Sequence, residues 1–304
     1  MAETHAPELT MTIGAVERDT GLSKDALRMW ERRYGFPKPQ RDRNGERVYS
    51  LGQVEKLRLI KRLMDRGHRP GRLITRPVAQ LVELGGLPQA GGDTSQEIEA
   101  FVRLIKGHQL PELRQHLTQT LMRQGLQRFV LDTIAPLNEA VGDAWVRGEL
   151  AVFEEHLYTE QIQGVLRNAM ASLQAQGRAP RVLFTSLPNE PHGLGLLMAE
   201  ALLRVEGTAC VPLGTETPCD DIVRAAAAHR VDAVALSFSA VFGEKAARTG
   251  LTELRTRLSS KILIWAGGAC IQRMRDPIPG VDLVGSLEGL VEKVKEWRTL
   301  HEGP

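Results

Sequence analysis

From residue 181 onward the chain repeats one pattern five times. A short apolar run of four to seven residues is followed by a longer amphipathic stretch. The runs are RVLFTSL, TACVPLG, DAVALSF, KILIWAG and VDLVGSL, rich in β-branched and aliphatic side chains and too short to be helices. Between them lie segments with helical spacing, such as GLGLLMAEALLRVEG and CDDIVRAAAAHR. Buried strands alternating with helices predict an α/β doubly wound, five-stranded parallel sheet of the Rossmann or flavodoxin-like kind. Such sheets place ligands at the carboxyl ends of their strands, which here are the loops after residues 187, 237 and 266.

The rest of the chain obeys other rules. Residues 11 to 84 are basic and helical in pattern, and residues 96 to about 177 are helical again, with Ile98, Phe101, Val102, Ile105, Leu117 and Leu121 at three-to-four spacing. GGLPQAGGDTS, between them, holds five glycines or prolines in its first eight positions and is predicted to be a flexible linker. The expected domains are therefore 10–84, a linker at 85–95, a four-helix bundle at 96–178 and the α/β domain at 179–304.

Charge separates these regions. Residues 11–76 carry 17 Lys and Arg against 8 Asp and Glu, a net of +9, whereas residues 77–304 carry 22 against 27. A short basic segment on a mildly acidic body is the electrostatic footprint of a nucleic-acid-binding head. No run of eighteen apolar residues occurs, and MAETHAPELT lacks the basic start and apolar run of a signal peptide. Cys210, Cys219 and Cys270 show neither CxxC pairing nor metal-ligand spacing and are expected to be small buried thiols. These features predict a cytoplasmic protein without membrane contact. No nucleophile–base constellation is present, so an enzyme is not expected.

In the basic region, Thr12 starts a short helix, Gly21 provides a tight turn in DTGLS, and Ser23 is placed to cap a second helix. Helix, glycine-containing turn, helix is the helix-turn-helix arrangement. Its second helix presents Lys24, Arg28, Arg32 and Arg33 to phosphates and guanine edges, while Leu27, Trp30 and Tyr34 can face inward, with part of Trp30 at a rim. PKPQRDRNGERVYS then forms a basic hairpin with Asn44-Gly45 at its tip, a wing on which Arg41, Arg43 and Arg47 would track the backbone and Tyr49 would anchor or contact it. The stretch from TIGAVERDTGLS to RGHRPGRL resembles the winged helix-turn-helix of MerR-type transcriptional regulators along its whole length. That resemblance implies a homodimer on double-stranded promoter DNA, with Arg28, Trp30, Arg32, Arg43, Arg47 and Tyr49 at or beside the contact and RNA polymerase as a further candidate partner.

The α/β region contains NEPHGLG, with Glu190, His192 and Gly195 as E-x-H-x-x-G after the first run. Forty-one residues separate Gly195 from Ser237, and twenty-seven separate Ser239 from Gly267-Gly268. This spacing is similar to the cobalamin-binding signature D-x-H-x-x-G, S-x-L, G-G. A neutral imidazole is a good cobalt ligand, and a carboxylate two residues away can accept its other N–H and fix the tautomer. His192 and Glu190 are assigned these roles. Gly195, Ser237, Gly267 and Gly268 would admit the displaced nucleotide tail, Ser237 by a hydrogen bond and the glycines by leaving room.

The helical middle carries Trp145, then Glu155 and His156 ten and eleven residues later. This W-x9-E-H spacing resembles the helical cap of the CarH/LitR/CarA-like adenosylcobalamin-dependent photoreceptor regulators, whose Trp and Glu-His pair lie over the upper face of the cofactor. The family implies a dimer or tetramer that holds operator DNA in the dark with adenosylcobalamin bound, and releases it when light breaks the cobalt–carbon bond. Two positions depart from the pattern. Val146 follows Trp145 where a light-sensing member has histidine, and Ser239 replaces the Leu of S-x-L, which would make the tail pocket more polar. An alternative is a MerR-like regulator whose α/β domain binds no corrinoid and answers to another ligand or protein. A corrinoid carrier for a methyltransferase or mutase would leave the basic head unexplained, and the chain lacks room for a catalytic barrel of about 250 residues.

Overall fold

The computed structural model describes residues 10–42, 45–65, 68–84, 92–173 and 177–301. Two compact units are present. The first takes in the described residues up to Leu84 together with Val141–Ala151; the second takes in the described residues from Gly92 to Ala140 and from Val152 onward.

In the first unit, β1 (Thr10–Thr12) leads into α1 (Ile13–Thr20), followed by α2 (Lys24–Tyr34), β2 (Gln40–Arg41), β3 (Arg47–Ser50), α3 (Leu51–Asp65), α4 (Pro70–Leu73) and α5 (Val78–Leu84). The expected caps are in place. Thr12 Oγ1 accepts from the Ala15 N–H at 3.3 Å and Ser23 Oγ from Ala26 N–H at 3.2 Å, each satisfying a donor that the first turn cannot. Gly21 and Gly35 end the two helices with φ of 69° and 67°, the left-handed conformation that glycine adopts without strain. The wing is a three-stranded antiparallel sheet in the order β1-β3-β2, with Met11 opposite Tyr49 and Gln40 opposite Val48. A core of Val16, Leu27, Trp30, Tyr49, Leu57, Ile60 and Leu63 binds helices to wing.

In the second unit, α6 (Gly92–Lys106), α7 (Leu110–Gln124), α8 (Leu126–Arg128), a π-helical turn (Phe129–Ile134), α9 (Ala135–Val146, as far as Ala140) and α10 (Val152–Ala171) supply four helical rods, α8 running through the π turn into α9. Helix α6 begins inside the stretch that composition marks as linker and takes in its last four residues. The sheet follows with β4 (Arg178–Thr185), α11 (Leu194–Val205), β5 (Thr208–Gly214), α12 (Cys219–Ala228), β6 (Ala233–Ser237), α13 (Glu244–Arg257), β7 (Leu263–Gly267), α14 (Ala269–Arg273), β8 (Asp282–Val284) and α15 (Leu287–His301). All five strands are parallel, in the order β5-β4-β6-β7-β8, so the direction of winding reverses between β4 and β6. One face packs on α12 and α13 through Leu183, Val234, Leu236, Ile264 and Ala266; α11 and α15 cover the other. Buried Arg298 of α15 donates to Ala179 O, Glu206 O and Thr208 Oγ1, tying that helix to the strand edge. Tyr158 of α10 donates to Asn138 of α9, whose Nδ2 lies 3.1 Å from Met198 Sδ on α11, fixing helical rods to sheet domain. The three cysteines are unbridged; Cys270 is buried and the other two are half-buried.

Candidate functional site

On α2, Lys24, Arg28, Met29, Arg32 and Arg33 are exposed along one face while Leu27 and Trp30 are buried on the other, the outcome of apolar residues spaced three apart on a helix. Arg28 makes a loose 3.4 Å contact with exposed Asp25, which is worth little in water, and Arg32 has no ion-pair partner among the described residues. Arg41 Nη1 donates to Gly45 O at 2.6 Å and holds the wing turn together. Arg47 donates to Glu31 Oε2 at 2.9 Å, so its charge is already engaged with α2. Arg43 and Asn44 lie outside the described residues.

Two aromatic assignments are corrected. Trp30 was expected to face inward with part of it at a rim beside the DNA contact, and Tyr49 to anchor or contact the backbone, but both are core residues, and Tyr49 is 0% exposed. The period of α2 turns Trp30 inward, and β3 is the central strand of the wing, so its alternate side chains pack beneath α1 and α3. Burial raises the Tyr49 phenol above its ordinary value, and its hydroxyl finds no partner among the described residues.

The second site lies at the switch point of the sheet. Strand β4 ends at Thr185, and the loop to α11 is closed by Ser186, whose hydroxyl donates to Glu190 O at 2.6 Å and accepts from Glu216 N–H at 2.9 Å. This turns the Glu190 side chain inward, where it is 0% exposed. Its carboxylate is fully engaged. Oε1 lies 2.7 Å from His192 Nδ1 and accepts from the His192 backbone N–H at 3.2 Å; Oε2 accepts from the backbone N–H and hydroxyl of Ser239 at 2.7 and 2.8 Å. Burial pushes the Glu190 carboxyl up, but the hydrogen bonds from His192 and Ser239 more than offset it, and the net direction is down. His192 is raised, chiefly by its bond to Glu190, against an opposing effect of burial and with help from the Glu155 carboxylate. Its side chain remains 56% exposed. With Nδ1 committed to Glu190, Nε2 is the nitrogen available to a metal.

Ser239 was expected to make the tail pocket more polar. Instead its hydroxyl is spent on Glu190, and it does not line the cavity. At the end of β6 the chain alternates: Ser237 lines the cavity, Phe238 enters the core and Ser239 reaches the histidine loop.

Two cavities flank α11. One, of about 190 Å³, lies between the sheet and α11 and α15, and is lined by Gly195, Met198, Ala235, Ser237, Trp265, Gly267 and Gly268 among others. The other, a wider cleft of about 620 Å³, is bounded by Gln163 and Arg167 of α10, Pro191 and Gly193 of the histidine loop, and the end of β5. A Cβ on Gly195 would stand 2.6 Å from Ser237 Oγ, and one on Gly268, whose φ is 98°, 2.4 Å from Phe238 O, so these positions keep the first cavity and its rim open. The indole N–H of Trp265, a lining residue, is buried without a partner among the described residues. A histidine with one free nitrogen, oriented by a buried carboxylate, beside a glycine-rimmed slot fits a corrinoid held through cobalt with its tail inserted into the protein.

The sequence placed together Glu190, His192, Gly195, Ser237, Gly267 and Gly268, and the structure gathers them at one end of the sheet. Glu155 belongs to the same unit and acts on the charge of His192; His156 beside it is exposed. Trp145, half-buried, falls in the first unit. Ser239 and Trp265 were not singled out as site residues.

Comparison with known proteins agrees with this anatomy. The model of the MerR HTH family regulatory protein matches residues 11–73, and models of the B12 binding domain match 97–169 and 180–294. The HTH-type transcriptional repressor CarH of Myxococcus xanthus is 30% identical over 270 residues, spanning 86% of this chain and 90% of that protein. CarA of the same organism, also an HTH-type transcriptional repressor, is 31% identical over 232 residues, 76% of this chain and 77% of its own. In fold, the monomethylamine corrinoid protein of Methanosarcina barkeri superposes with a TM-score of 0.53 at 15% identity, over 67% of this chain and 99% of that one. Head, bundle and sheet together define a transcriptional regulator with a MerR-type DNA-binding head and B12-binding domains. Among such regulators, the chain belongs to the family of the transcriptional repressors CarH and CarA. No described helix is long and apolar enough to cross a membrane.

Proposed function

We propose that this regulator uses adenosylcobalamin as its sensory ligand and that cofactor occupancy sets its oligomeric state, a dimer or tetramer, and through it the hold on operator DNA. The observation that carries the proposal is the buried Glu190 carboxylate shared between His192 and Ser239, which commits Nδ1 and leaves Nε2 for cobalt. His192 would be the lower metal ligand, with Ser237, Gly195, Gly267 and Gly268 around the tail and the wider cleft beside Pro191 and Gly193 open to the ring system. Glu155 and His156, with Trp145, are assigned to the upper face, an assignment supported for Glu155 by its influence on His192.

When bound, the cofactor supplies a cobalt–carbon bond that light can break, and release of DNA on illumination is part of the proposal. Val146 provides no imidazole after Trp145, so release would rest on the loss of contacts at Glu155, His156 and Trp145 rather than on a second histidine ligand there. On the head, Arg28 and Arg32 are assigned to operator DNA, together with Arg43, and with Arg47 once its bond to Glu31 is shared with a phosphate. A ligand that favours one oligomer by about 3 to 5 kcal/mol shifts the equilibrium by roughly 150- to 5,000-fold.

The test is a visible spectrum of the purified protein after incubation with adenosylcobalamin in the dark and desalting. Retained corrinoid bands, shifted as histidine replaces the cofactor's own base and lost in His192→Ala, are expected. A colourless protein that still binds operator DNA would refute the cofactor and leave a regulator of the corrinoid-free kind.

A further inference from the structure

The exposed face of α2 is not basic throughout. Successive residues of a helix are turned by about 100°, so the buried Leu27 and Trp30 define its inward direction and the opposite direction follows. Asp25 and Arg32 point most directly outward, with Arg28 on one flank and Met29 on the other, each about 50° from the centre. Lys24 and Arg33 lie at the two edges, and both are partly engaged within the head. Lys24 Nζ stands 3.4 Å from Glu17 Oε2, and the Arg33 guanidinium lies 5.4 Å from the centre of the Tyr34 ring.

The edges and the middle of this face suit different parts of a duplex. Cations at the edges meet the phosphates that wall a major groove. The middle holds two groups that phosphate does not reward. Asp25, 93% exposed, is repelled by it, but can accept from the N4 amine of cytosine. Met29 is 42% exposed and carries no charge and only a weakly accepting sulfur. A base edge offers Met29 more, because thymine presents a C5 methyl group in the major groove. The side chain is unbranched and polarisable, so it can settle over a methyl group without a fixed rotamer. Arg28 and Arg32, about 6 Å apart along the axis, bracket Met29 in height, so their hold on DNA also sets its position over the bases.

We infer that Met29 reads a thymine methyl group, so that each bound head favours a T·A pair at one fixed position of the operator. The inference rests on the reading of α2 as the helix that enters the major groove and adds to it the identity of a base. Arg28 and Arg32 supply attraction to any duplex. Met29 supplies a contact that is lost when the methyl group is absent, and one buried carbon of this kind changes affinity by a factor of about four.

In the experiment, the full-length chain, supplied with adenosylcobalamin in the dark, first selects its preferred duplex from a random library. Each thymine of that duplex is then replaced in turn by deoxyuridine, which keeps the pairing and removes only the methyl group. Affinity is read by fluorescence anisotropy. The wild type is expected to lose about fourfold at one thymine for each head bound, and less than about 1.5-fold elsewhere. In Met29→Ala the loss at that thymine should shrink to within about 1.5-fold, whereas Met29→Leu, still apolar, should keep it. Met29 lies outside the core of the head, so both variants are expected to fold. A scan in which no thymine responds, or a response that Met29→Ala leaves unchanged, would overturn the role of Met29 while DNA binding by the head stands. Failure of the wild type to select any duplex would remove both. The wild-type scan needs no variant, so it decides the question of the methyl group by itself.

Discussion

Replacing Ser239 with alanine removes one of four hydrogen bonds to a carboxylate that has no solvent to turn to. The backbone N–H of residue 239 and both His192 contacts remain, so the charge stays partnered but incompletely. A hydrogen bond to a charged group contributes about 1.5–3 kcal/mol, and with Glu190 wholly buried no discount for water applies. A cost of about 2 kcal/mol corresponds to a roughly 30-fold change in an opening equilibrium. Native-state hydrogen exchange, resolved by mass spectrometry on peptides from β6 and β7, should therefore quicken by about that factor. In a Glu190→Gln background the same substitution should accelerate exchange no more than about fivefold, because a neutral amide makes the weaker kind of bond. Equal acceleration in both backgrounds, or less than about threefold with Glu190 intact, would refute the idea that the hydroxyl acts through the buried carboxylate.

On the head, Arg32→Ala should weaken operator binding about tenfold and reduce the salt dependence of log K by about one unit, with corrinoid retention unchanged; fluorescence anisotropy at several salt concentrations measures both. Tyr49→Phe deletes a buried hydroxyl that has no partner, so thermal stability should hold or rise by about 1 kcal/mol while operator affinity stays put; a loss of DNA binding would restore Tyr49 to the contact surface. Burial pushes the Cys210 thiol up to about 12, which removes the reactive thiolate near neutrality, so alkylation at pH 8 followed by peptide mass mapping should leave it unmodified until the chain is unfolded. Gly268→Ala meets both a positive φ and a backbone oxygen at 2.4 Å, and should lower the thermal midpoint by several degrees, seen by calorimetry.

What the sequence disclosed follows from where periodicity is strongest. The five strands were legible because a sheet covered on both sides writes itself as unbroken apolar runs, and the run TACVPLG coincides with β5. Thr12, Gly21 and Ser23 announced the head through capping chemistry that is local by nature. Strand β1 was missed, since three residues of alternating pattern are too few to stand out before they pair with β3. Tyr49 among arginines looked like part of a contact surface, and only tertiary packing on the central wing strand could say that it faces inward. For Ser239 the motif supplied a comparison residue, Leu, and that drew attention to the pocket. The available signal was instead geometric: two residues after Ser237, at a strand end, a hydroxyl returns to the same side. Trp265 carried a similar signal, lying two residues before Gly267 on one strand face.

The three consecutive residues at the end of β6 serve three masters. Ser237 borders the slot, Phe238 anchors the core and also accepts from the Cys270 N–H, and Ser239 steadies the carboxylate behind His192. The lining of the slot and the hydrogen bonding behind His192 are thus written on one short piece of backbone. Because Ser239 bonds to Glu190, a change at the end of β6 reaches the histidine loop as well as the slot.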